Sequence, residues 1–293
     1  MWQGHLSQRN IGIKLMPQII PPFSFEFFPP RTEEGSQNLL QTVDKLNVFD
    51  PEFYSVTFGA GGSTKEKTIE TVVDIMGTGA AAVPHVSCIS STKEEIKVLL
   101  NDYQSKDIKR IVALRGDNPS GVVSYGDFKY ANELVEFIRK ETGDFFQIEV
   151  AAYPEFHPES LSVKNDIDSL QRKINAGANG AITQFFFNVD AYFKFVEDCQ
   201  KKSINVPIVP GVMPIYNIKQ LSRFAGNCGA EIPRWLKMRL ENYDDDIESL
   251  RSYGVDIISE LCETLIQYKV PGIHFYTLNK SAIISKIINN LQN

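Results

Sequence analysis

The feature that most constrains the fold is a switch from a short apolar run to a polar or glycine-rich turn, which recurs along the chain. It is clearest where the β-branched run Ile111–Leu114 changes abruptly into Arg115-Gly116-Asp117-Asn118-Pro119. A continuous apolar run of this kind is typical of a strand buried on both faces, as in a parallel sheet. One such switch alone is equally compatible with a surface turn that holds a solvated ion pair. Its recurrence predicts an ordered array of strands.

Strand-like and helix-like segments alternate from Phe23 onward. The predicted strands are Phe23–Phe28, Phe53–Phe58, Ala82–Cys88, Ile108–Leu114, Phe146–Tyr153, Ala181–Phe187, Pro207–Gly211 and Ile273–Thr277. The predicted helices between and after them are Gly35–Val48, Thr64–Met76, Thr92–Tyr103, Phe128–Glu141, Lys164–Ala176, Ala191–Lys202, Ile218–Phe224, Pro233–Leu240, Ile247–Tyr268 and Ser281–Leu291. Regular alternation of this kind predicts a parallel sheet in an α/β protein.

Eight strands in one chain of 293 residues predict a single closed (β/α)8 TIM barrel, over residues 21–293. The alternative is an open doubly wound sheet. The first strand lacks the Gly-x-Gly-x-x-Gly turn that a dinucleotide-binding sheet of that kind would carry. Residues 1–20 are expected to form a loose N-terminal extension.

Composition and net charge exclude several classes of binding partner. The net charge is −6 without a block of like charge, so neither a nucleic acid nor an anionic membrane surface is an expected partner. No apolar run approaches the ~20 residues of a membrane helix, and no secretory signal pattern opens the chain. The four cysteines are widely separated and lack metal-ligand spacing, so we expect a cytoplasmic protein with reduced thiols and no metal.

In a TIM barrel, functional side chains lie at the carboxyl ends of the strands. The polar residues there are Glu26, Thr57, His85, Arg115, Asp117, Tyr153, His157, Gln184, Tyr276 and Asn279. Glu26 stands among phenylalanines, and apolar surroundings would favour its protonated form and suit a general acid. Alternatively, strand alternation turns Glu26 outward as the ion-pair partner of a helix. Gln184 suits recognition of a flat heterocycle, but it could also be a satisfied core amide.

Six phrases, in order along nearly the whole chain, resemble the methylenetetrahydrofolate reductase family. They are Ser24-Phe25-Glu26-Phe27-Phe28-Pro29-Pro30-Arg31, Val56-Thr57-Phe58-Gly59-Ala60-Gly61-Gly62-Ser63, Leu114-Arg115-Gly116-Asp117, the segment Ala151–Glu159, the segment Gly177–Phe187 and His274-Phe275-Tyr276-Thr277-Leu278-Asn279. The resemblance implies a TIM barrel that holds FAD noncovalently. It also implies a two-step reaction, in which NADH or NADPH reduces the flavin before methylenetetrahydrofolate is reduced to 5-methyltetrahydrofolate. Such a reaction feeds methionine biosynthesis.

The resemblance also implies roles for individual residues. Glu26 and Asp117 match the catalytic acid and the carboxylate between flavin and folate. The flavin contacts carry over to Thr57, Phe58, Ala60, His85, Arg115, Gly116, Asp117, Ala131, Tyr153, His157, Ser160, Asp166, Ser169, Arg172 and Lys173. The substrate contacts carry over to Asp117, Gln184, Gln220, Phe224 and Lys280. Three positions depart from the family pattern, with Phe58 in place of a frequent Tyr, Ser169 in place of Asn and Lys280 in place of Arg.

The resemblance further implies a homo-oligomer. It covers the catalytic barrel only, so the S-adenosylmethionine-sensing domain of longer relatives is not expected here. Without the resemblance, several of these residues have plainer interpretations. His85, Tyr153 and His157 could be structural, and Asp166, Arg172 and Lys173 could form a solvated helix face. Two other classes remain from the residues alone: a different barrel enzyme, such as a Schiff-base aldolase or a pterin-binding methyltransferase, and a barrel that only binds a partner. No predicted strand ends in the lysine that an aldolase would need before Lys280.

Overall fold

Eight parallel strands close into a barrel in chain order in a computed structural model, which describes residues 19–58, 65–116, 126–243 and 246–292. The strands are β1 (Phe23–Phe27), β2 (Phe53–Val56), β3 (Ala82–Ser87), β4 (Arg110–Leu114), β5 (Gln147–Ala152), β6 (Gly180–Phe185), β7 (Ile208–Val212) and β8 (Ile273–Tyr276). Pairing of β1 with β8, with Phe23 opposite Ile273, closes the sheet. The predicted TIM barrel is therefore confirmed, and the open doubly wound sheet is excluded.

Helices follow the strands around the outside of the barrel. They are α1 (Glu33–Asn47), α2 (Lys65–Gly77), α3 (Lys93–Ser105), α4 (Ala131–Thr142), α5 (Val163–Asn175), α6 (Val189–Lys201), α7 (Ile218–Cys228), α8 (Arg234–Glu241), α9 (Ile247–Gln267) and α10 (Ala282–Gln292). The extra helices α8 and α9 account for the long interval between the last two strands. The proposed extension over residues 1–20 lies outside the described residues up to position 18.

Local signals explain most helix starts. Thr92 caps α3 by the predicted capping box, in which its side chain accepts from the Glu95 N–H and the Glu95 carboxylate accepts from the Thr92 N–H. The predicted start of α4 at Phe128 was wrong by three residues. The Glu133 carboxylate accepts hydrogen bonds from the backbone N–H groups of Lys129 and Tyr130, so Tyr130 becomes the cap and the helix begins at Ala131.

Strand alternation separates two apolar regions. Phe25 and Phe27 are fully buried in the large core between the strands and the helices. A second, smaller cluster of four residues lies inside the barrel, as expected for the layered filling of an eight-stranded barrel. Its members are Phe53, Val83, Val112 and Ile182. This inner layer closes the barrel below the mouth formed by the carboxyl ends of the strands.

None of the described helices is long and apolar enough to cross a membrane. All four cysteines are free thiols. Within the described ranges, no group of three or more His, Cys, Asp or Glu side chains is arranged to hold a metal ion.

Candidate active site

Glu26 lies inside the barrel near the mouth. Its neighbours Phe25 and Phe27 point outward to the helices, so alternation along β1 turns Glu26 toward the axis. Its side chain is 21% exposed, and its Oε2 atom lies 3.6 Å from Nε2 of the buried His85. Glu26 is therefore no partner of a helix-face cation, and its carboxylate remains accessible from the mouth.

Two histidine rings flank the Glu26 carboxylate. His85 reaches it from β3, and burial lowers the pKa of His85 to about 4, although the Glu26 charge opposes this. His274 reaches it from β8, with its Nε2 atom 3.8 Å from Glu26 Oε2. The other ring nitrogen of His274, Nδ1, lies 2.7 Å from the Ser24 hydroxyl. Both Nε2 atoms are buried and have no hydrogen-bond partner in the described part of the chain.

The Arg115–Gly116 turn directly follows β4, at the end of the barrel where the carboxyl ends of the strands form the mouth. Gly116 has φ of +86°, and a Cβ atom there would lie 2.0 Å from the Ser87 hydroxyl, so the turn requires glycine. The Ser87 hydroxyl donates to the Arg115 carbonyl at 2.9 Å, and the Arg115 guanidinium pairs with Glu159 at 2.6 Å. Asp117, which follows, lies outside the described residues.

The loop after β5 and the helix α5 carry a connected polar group. The rings of Tyr153 and His157 meet edge to face, with centroids 4.7 Å apart. The His157 N–H donates to the Asp166 carboxylate at 3.1 Å, and burial raises the pKa of Asp166. Burial lowers the pKa of Lys173 to about 8 against the opposing charge of Asp166, and its Nζ atom donates to the Ala151 carbonyl.

The other flavin candidates of this region are the half-buried Ser160 and Ser169 and the exposed Arg172. Ser160 donates its hydroxyl to the Ser162 carbonyl at 3.0 Å. Ser169 accepts a hydrogen bond of 2.7 Å from the Arg172 guanidinium, so both candidates lie together on α5. Arg172 is exposed, so its guanidinium is accessible to an anionic ligand.

Three more flavin candidates lie directly after β2 and at the start of α4. Thr57 continues the β1–β2 pairing by donating its N–H to the Phe27 carbonyl at 2.9 Å. Its hydroxyl is buried without a partner in the described ranges. Phe58 is half-buried directly after it, and Ala131 is the first residue of α4. Ala60 lies outside the described residues.

Gln184 is half-buried at the end of β6, where the pairing with β7 shifts register. Its Oε1 atom accepts from the Phe185 N–H at 3.0 Å. The Tyr276 hydroxyl on β8 donates to the Thr183 carbonyl on β6 at 2.7 Å, passing over the intervening strand β7. Gly211 permits this approach, since a Cβ atom there would lie 2.1 Å from the Thr183 carbonyl oxygen.

The remaining substrate candidates lie on α7 and after β8. Gln220 follows the cap Asn217, whose side chain accepts from the Gln220 N–H at 2.7 Å, and Phe224 is half-buried one turn later. Lys280 is exposed, with its Nζ atom 4.8 Å from the centre of the Tyr216 ring. It lines a groove with residues of α1, α9 and α10. Neither Glu26 nor His85 lines this groove, so Lys280 is not part of the cluster around the carboxylate.

Sequence reasoning missed two residues of this cluster. His274 lies beside the Glu26 carboxylate, and Ser24 forms a hydrogen bond with His274. A signal was available, because Ser24 precedes Glu26 by two residues and His274 precedes Tyr276 by two. In a strand, such residues share a face. The closed barrel brings Glu26, His85, Ser24 and His274 together across residues far apart in the chain.

Residues 15–292 match the family described as methylenetetrahydrofolate reductase. The 5,10-methylenetetrahydrofolate reductase of Escherichia coli K12 is 42% identical over 98% of this chain and 97% of its own length. Methylenetetrahydrofolate reductase (NADH) 1 of Arabidopsis thaliana is 40% identical over 89% of this chain, which spans 47% of that longer protein.

A solved structure from Clostridium thermocellum, of an uncharacterized protein that binds two copies of 5-methyl-5,6,7,8-tetrahydrofolic acid, superposes with a TM-score of 0.67. It is 20% identical over 92% of this chain and 94% of its own, and at that identity the likeness shows the fold alone. The sequence matches are far stronger and extend over the barrel with its mouth residues. The chain belongs to the methylenetetrahydrofolate reductase family of oxidoreductases.

Proposed function

We propose that this protein reduces 5,10-methylenetetrahydrofolate to 5-methyltetrahydrofolate in the cytoplasm, with NADH or NADPH as the reductant and FAD as the bound cofactor. The two substrates use the same barrel mouth in turn, in a ping-pong cycle whose product feeds methionine synthesis. The observation that carries the proposal is the inward Glu26 carboxylate, partly exposed at the mouth and close to two buried imidazoles. Family membership supports the reaction class.

The residues present fit a flavin. The Thr57 hydroxyl is a buried polar group whose hydrogen bond is open in the described part of the chain, so a bound polar ring edge would satisfy it. Gly116 is half-buried after β4 and has no side chain that would keep a ligand from its backbone, and the exposed Arg172 supplies a cation for a diphosphate. The proposed FAD-binding residues are Thr57, Phe58, Ala60, His85, Arg115, Gly116, Asp117, Ala131, Tyr153, His157, Ser160, Asp166, Ser169, Arg172 and Lys173. When bound, FAD supplies hydride transfer between the nicotinamide and the folate.

Glu26 supplies the proton that folate reduction requires. The methylene carbon of the substrate is bonded to two nitrogens, and it becomes a hydride acceptor when one C–N bond breaks. The bond electrons stay on the departing nitrogen, which takes the Glu26 proton, and the carbon becomes an iminium cation that a hydride can reduce. A carboxylate at Asp117 would stabilise this cation electrostatically.

Four side chains are proposed to hold the folate. Gln184, at the end of β6, can donate and accept hydrogen bonds along a pterin edge. Gln220 and Phe224 present an amide and an aromatic ring from α7, and Lys280 offers a cation for an anionic substrate tail. The protein is also proposed to act as a homo-oligomer, as the family resemblance implies.

Replacement of Glu26 by Gln separates the two halves of the cycle. Reduction of the flavin by NAD(P)H requires no proton donor to the folate, so it should stay within roughly tenfold, a barrier change of ~1.4 kcal/mol. The folate half-reaction should fall by at least ~100-fold, since general acid catalysis is typically worth two to four orders of magnitude. Stopped-flow absorbance of the flavin measures each half-reaction.

Glu149→Gln is the matched control. Glu149 is another carboxylate inside the barrel, on β5, and burial raises its pKa, so the amide resembles the form that burial favours. This variant should change neither half-reaction by more than about threefold. Equal slowing of both half-reactions in Glu26→Gln would make Glu26 a structural residue. A folded, colourless protein that cannot be reconstituted with FAD would refute the proposed cofactor.

A further inference from the structure

The Ser24–His274 pair inside the barrel lies directly beneath Glu26. The Ser24 hydroxyl is 4% exposed, and its partner in the described residues is Nδ1 of His274, at 2.7 Å. His274 is fully buried, and its opposite nitrogen, Nε2, lies 3.8 Å from Glu26 Oε2. These three side chains form a line from the barrel interior toward the mouth.

The buried hydroxyl determines which nitrogen of His274 carries the proton in the neutral ring. A buried O–H group that donates no hydrogen bond is costly, and Nδ1 is the acceptor available to Ser24 in the described part of the chain. If Ser24 donates to Nδ1, that nitrogen is unprotonated and the ring proton lies on Nε2. The Nε2–H group then points at the Glu26 carboxylate.

The distance of 3.8 Å is longer than a hydrogen bond, but a rotation of the Glu26 side chain can close it. Catalytic hydrogen bonds are often long in the absence of substrate and shorten when it binds. Nε2 of His274 has no competing partner in the described residues, so nothing there holds it away from the carboxylate.

What distinguishes His274 from the nearer His85, whose Nε2 atom lies 3.6 Å from Glu26 Oε2, is the Ser24 hydroxyl at its Nδ1 atom. The other titratable groups described near Glu26 are His85 on β3 and Tyr276 on β8, and burial lowers the pKa of the first and raises that of the second, so both favour the neutral form at neutral pH. On β2, the uncharged Ser55 pairs in register with Glu26. On β5, the buried Glu149 lies within electrostatic range of His274, and a charge on that ring would lower the pKa of Glu149.

We propose that Ser24 and His274 are positioning residues, in which Ser24 fixes the Nε2–H form of His274 and that N–H group holds Glu26 Oε2 inward. The second oxygen of Glu26 is thereby left to carry the proton toward the substrate. The same N–H group stabilises the carboxylate that remains after the proton has been given up. This inference rests on the proposed function for its catalytic consequence, but the hydrogen-bond arrangement is testable without it.

Nitrogen NMR of the protein as purified tests the arrangement. The chain has four histidines, so a long-range ¹H–¹⁵N spectrum of histidine-labelled protein contains few rings, and the His274 signals are identified by their loss in His274→Gln. We expect an unprotonated Nδ1 and a protonated Nε2, and a redistribution of the two forms in Ser24→Ala. Ser259→Ala, which removes another buried hydroxyl that accepts from Asn290 between α9 and α10, should leave the His274 signals unchanged. A proton on Nδ1 in the wild-type neutral ring overturns the inference.

Two substitutions of His274 distinguish positioning from packing. His274→Gln keeps an N–H donor, whereas His274→Phe keeps a ring that can pack against Phe53 and Tyr276. We expect the Phe variant to slow the folate half-reaction at least ~10-fold, with the Gln variant clearly faster, since a hydrogen bond to a charged group is lost only in the first. Reduction of the flavin by NAD(P)H should change by less than about threefold in both.

The pH profile adds a readout that packing would not move. Without the N–H donor, the carboxylate form of Glu26 is less stable, so the alkaline limb of the folate half-reaction should move up by about one pH unit in His274→Phe. A Phe variant at least as fast as the Gln variant, or an unmoved alkaline limb, overturns the inference. A protein with the expected His274 signals that does not reduce methylenetetrahydrofolate would instead refute the proposed function.

Discussion

Gly116→Ala tests whether the turn after β4 is fixed by steric contact or by backbone conformation alone. Gly116 has φ of +86°, and a Cβ atom there would lie 2.0 Å from the Ser87 hydroxyl and 2.8 Å from Cγ2 of Ile89. Gly79 is a matched control, because it has φ of +87° and a Cβ atom there would meet nothing within 4 Å. The two alanine variants thus share the unfavourable φ and differ in the space around the new methyl group.

The expected difference follows from these contacts. Both variants should lose ~1–2 kcal/mol of unfolding free energy from the positive φ. In Gly116→Ala the Ser87 hydroxyl must also move away and give up its hydrogen bond to the Arg115 carbonyl, which costs ~1 kcal/mol. Crowding against Ile89 adds ~1–3 kcal/mol. Gly116→Ala should therefore be less stable than Gly79→Ala by about 2–4 kcal/mol.

Urea unfolding followed by far-UV circular dichroism measures both variants against the wild type. Adding Ser87→Ala to Gly116→Ala should recover part of the loss, because it removes the atom that lies closest to the new methyl group. Under the proposed function, Gly116→Ala should also retain less FAD through gel filtration than Gly79→Ala does. Equal destabilisation by the two glycine substitutions would refute the steric argument.

Two further changes test charges at the site. Because burial depresses the pKa of His85 to about 4 from an ordinary 6.5, the unfolded chain binds its proton first as the pH falls. The unfolding free energy should drop by up to roughly 3 kcal/mol between pH 6.5 and 4, and His85→Gln should flatten that dependence in urea titrations across this range. Arg172→Ala should raise the Kd for FAD by about tenfold in a fluorescence titration, whereas Lys164→Ala, an exposed cation at the start of the same helix, should change it by less than about threefold. Equal effects of the two substitutions would contradict a specific role for Arg172.

The barrel was predictable because its signals are local. Each strand is a short apolar run, and each switch to polar residues marks its carboxyl end, so strand order and the position of the mouth followed from the sequence. The inward direction of Glu26 was less certain, since alternation allows either face. The structure decided it through the three phenylalanines of β1 at alternate positions, which fill the space between sheet and helices.

The contacts across the barrel were not predictable from the sequence. Ser24 and His274 are 250 positions apart, and they meet because β8 pairs with β1 in a register that places the two residues opposite each other. A shift of one residue in that register would have turned His274 to another neighbour. Side-chain direction in loops was equally open. Lys280 follows β8 at the mouth, yet it turns to the Tyr216 ring and to an outer groove.

The barrel interior explains why an acid can be placed at this mouth. The inner apolar layer lies beside the polar groups of the barrel interior, because the Phe53 ring packs against His274, with centroids 5.9 Å apart, and Val112 pairs in register with Glu149. Glu26 is two residues further along β1 than Ser24, the register partner of Phe53, and its side chain is 21% exposed near the carboxyl end of the strand. The buried imidazoles of His85 and His274 provide the polar neighbours of this carboxylate, at 3.6 and 3.8 Å from its Oε2 atom. The chemistry proposed for Glu26 therefore depends as much on the inner layer beneath it as on the side chains at the rim.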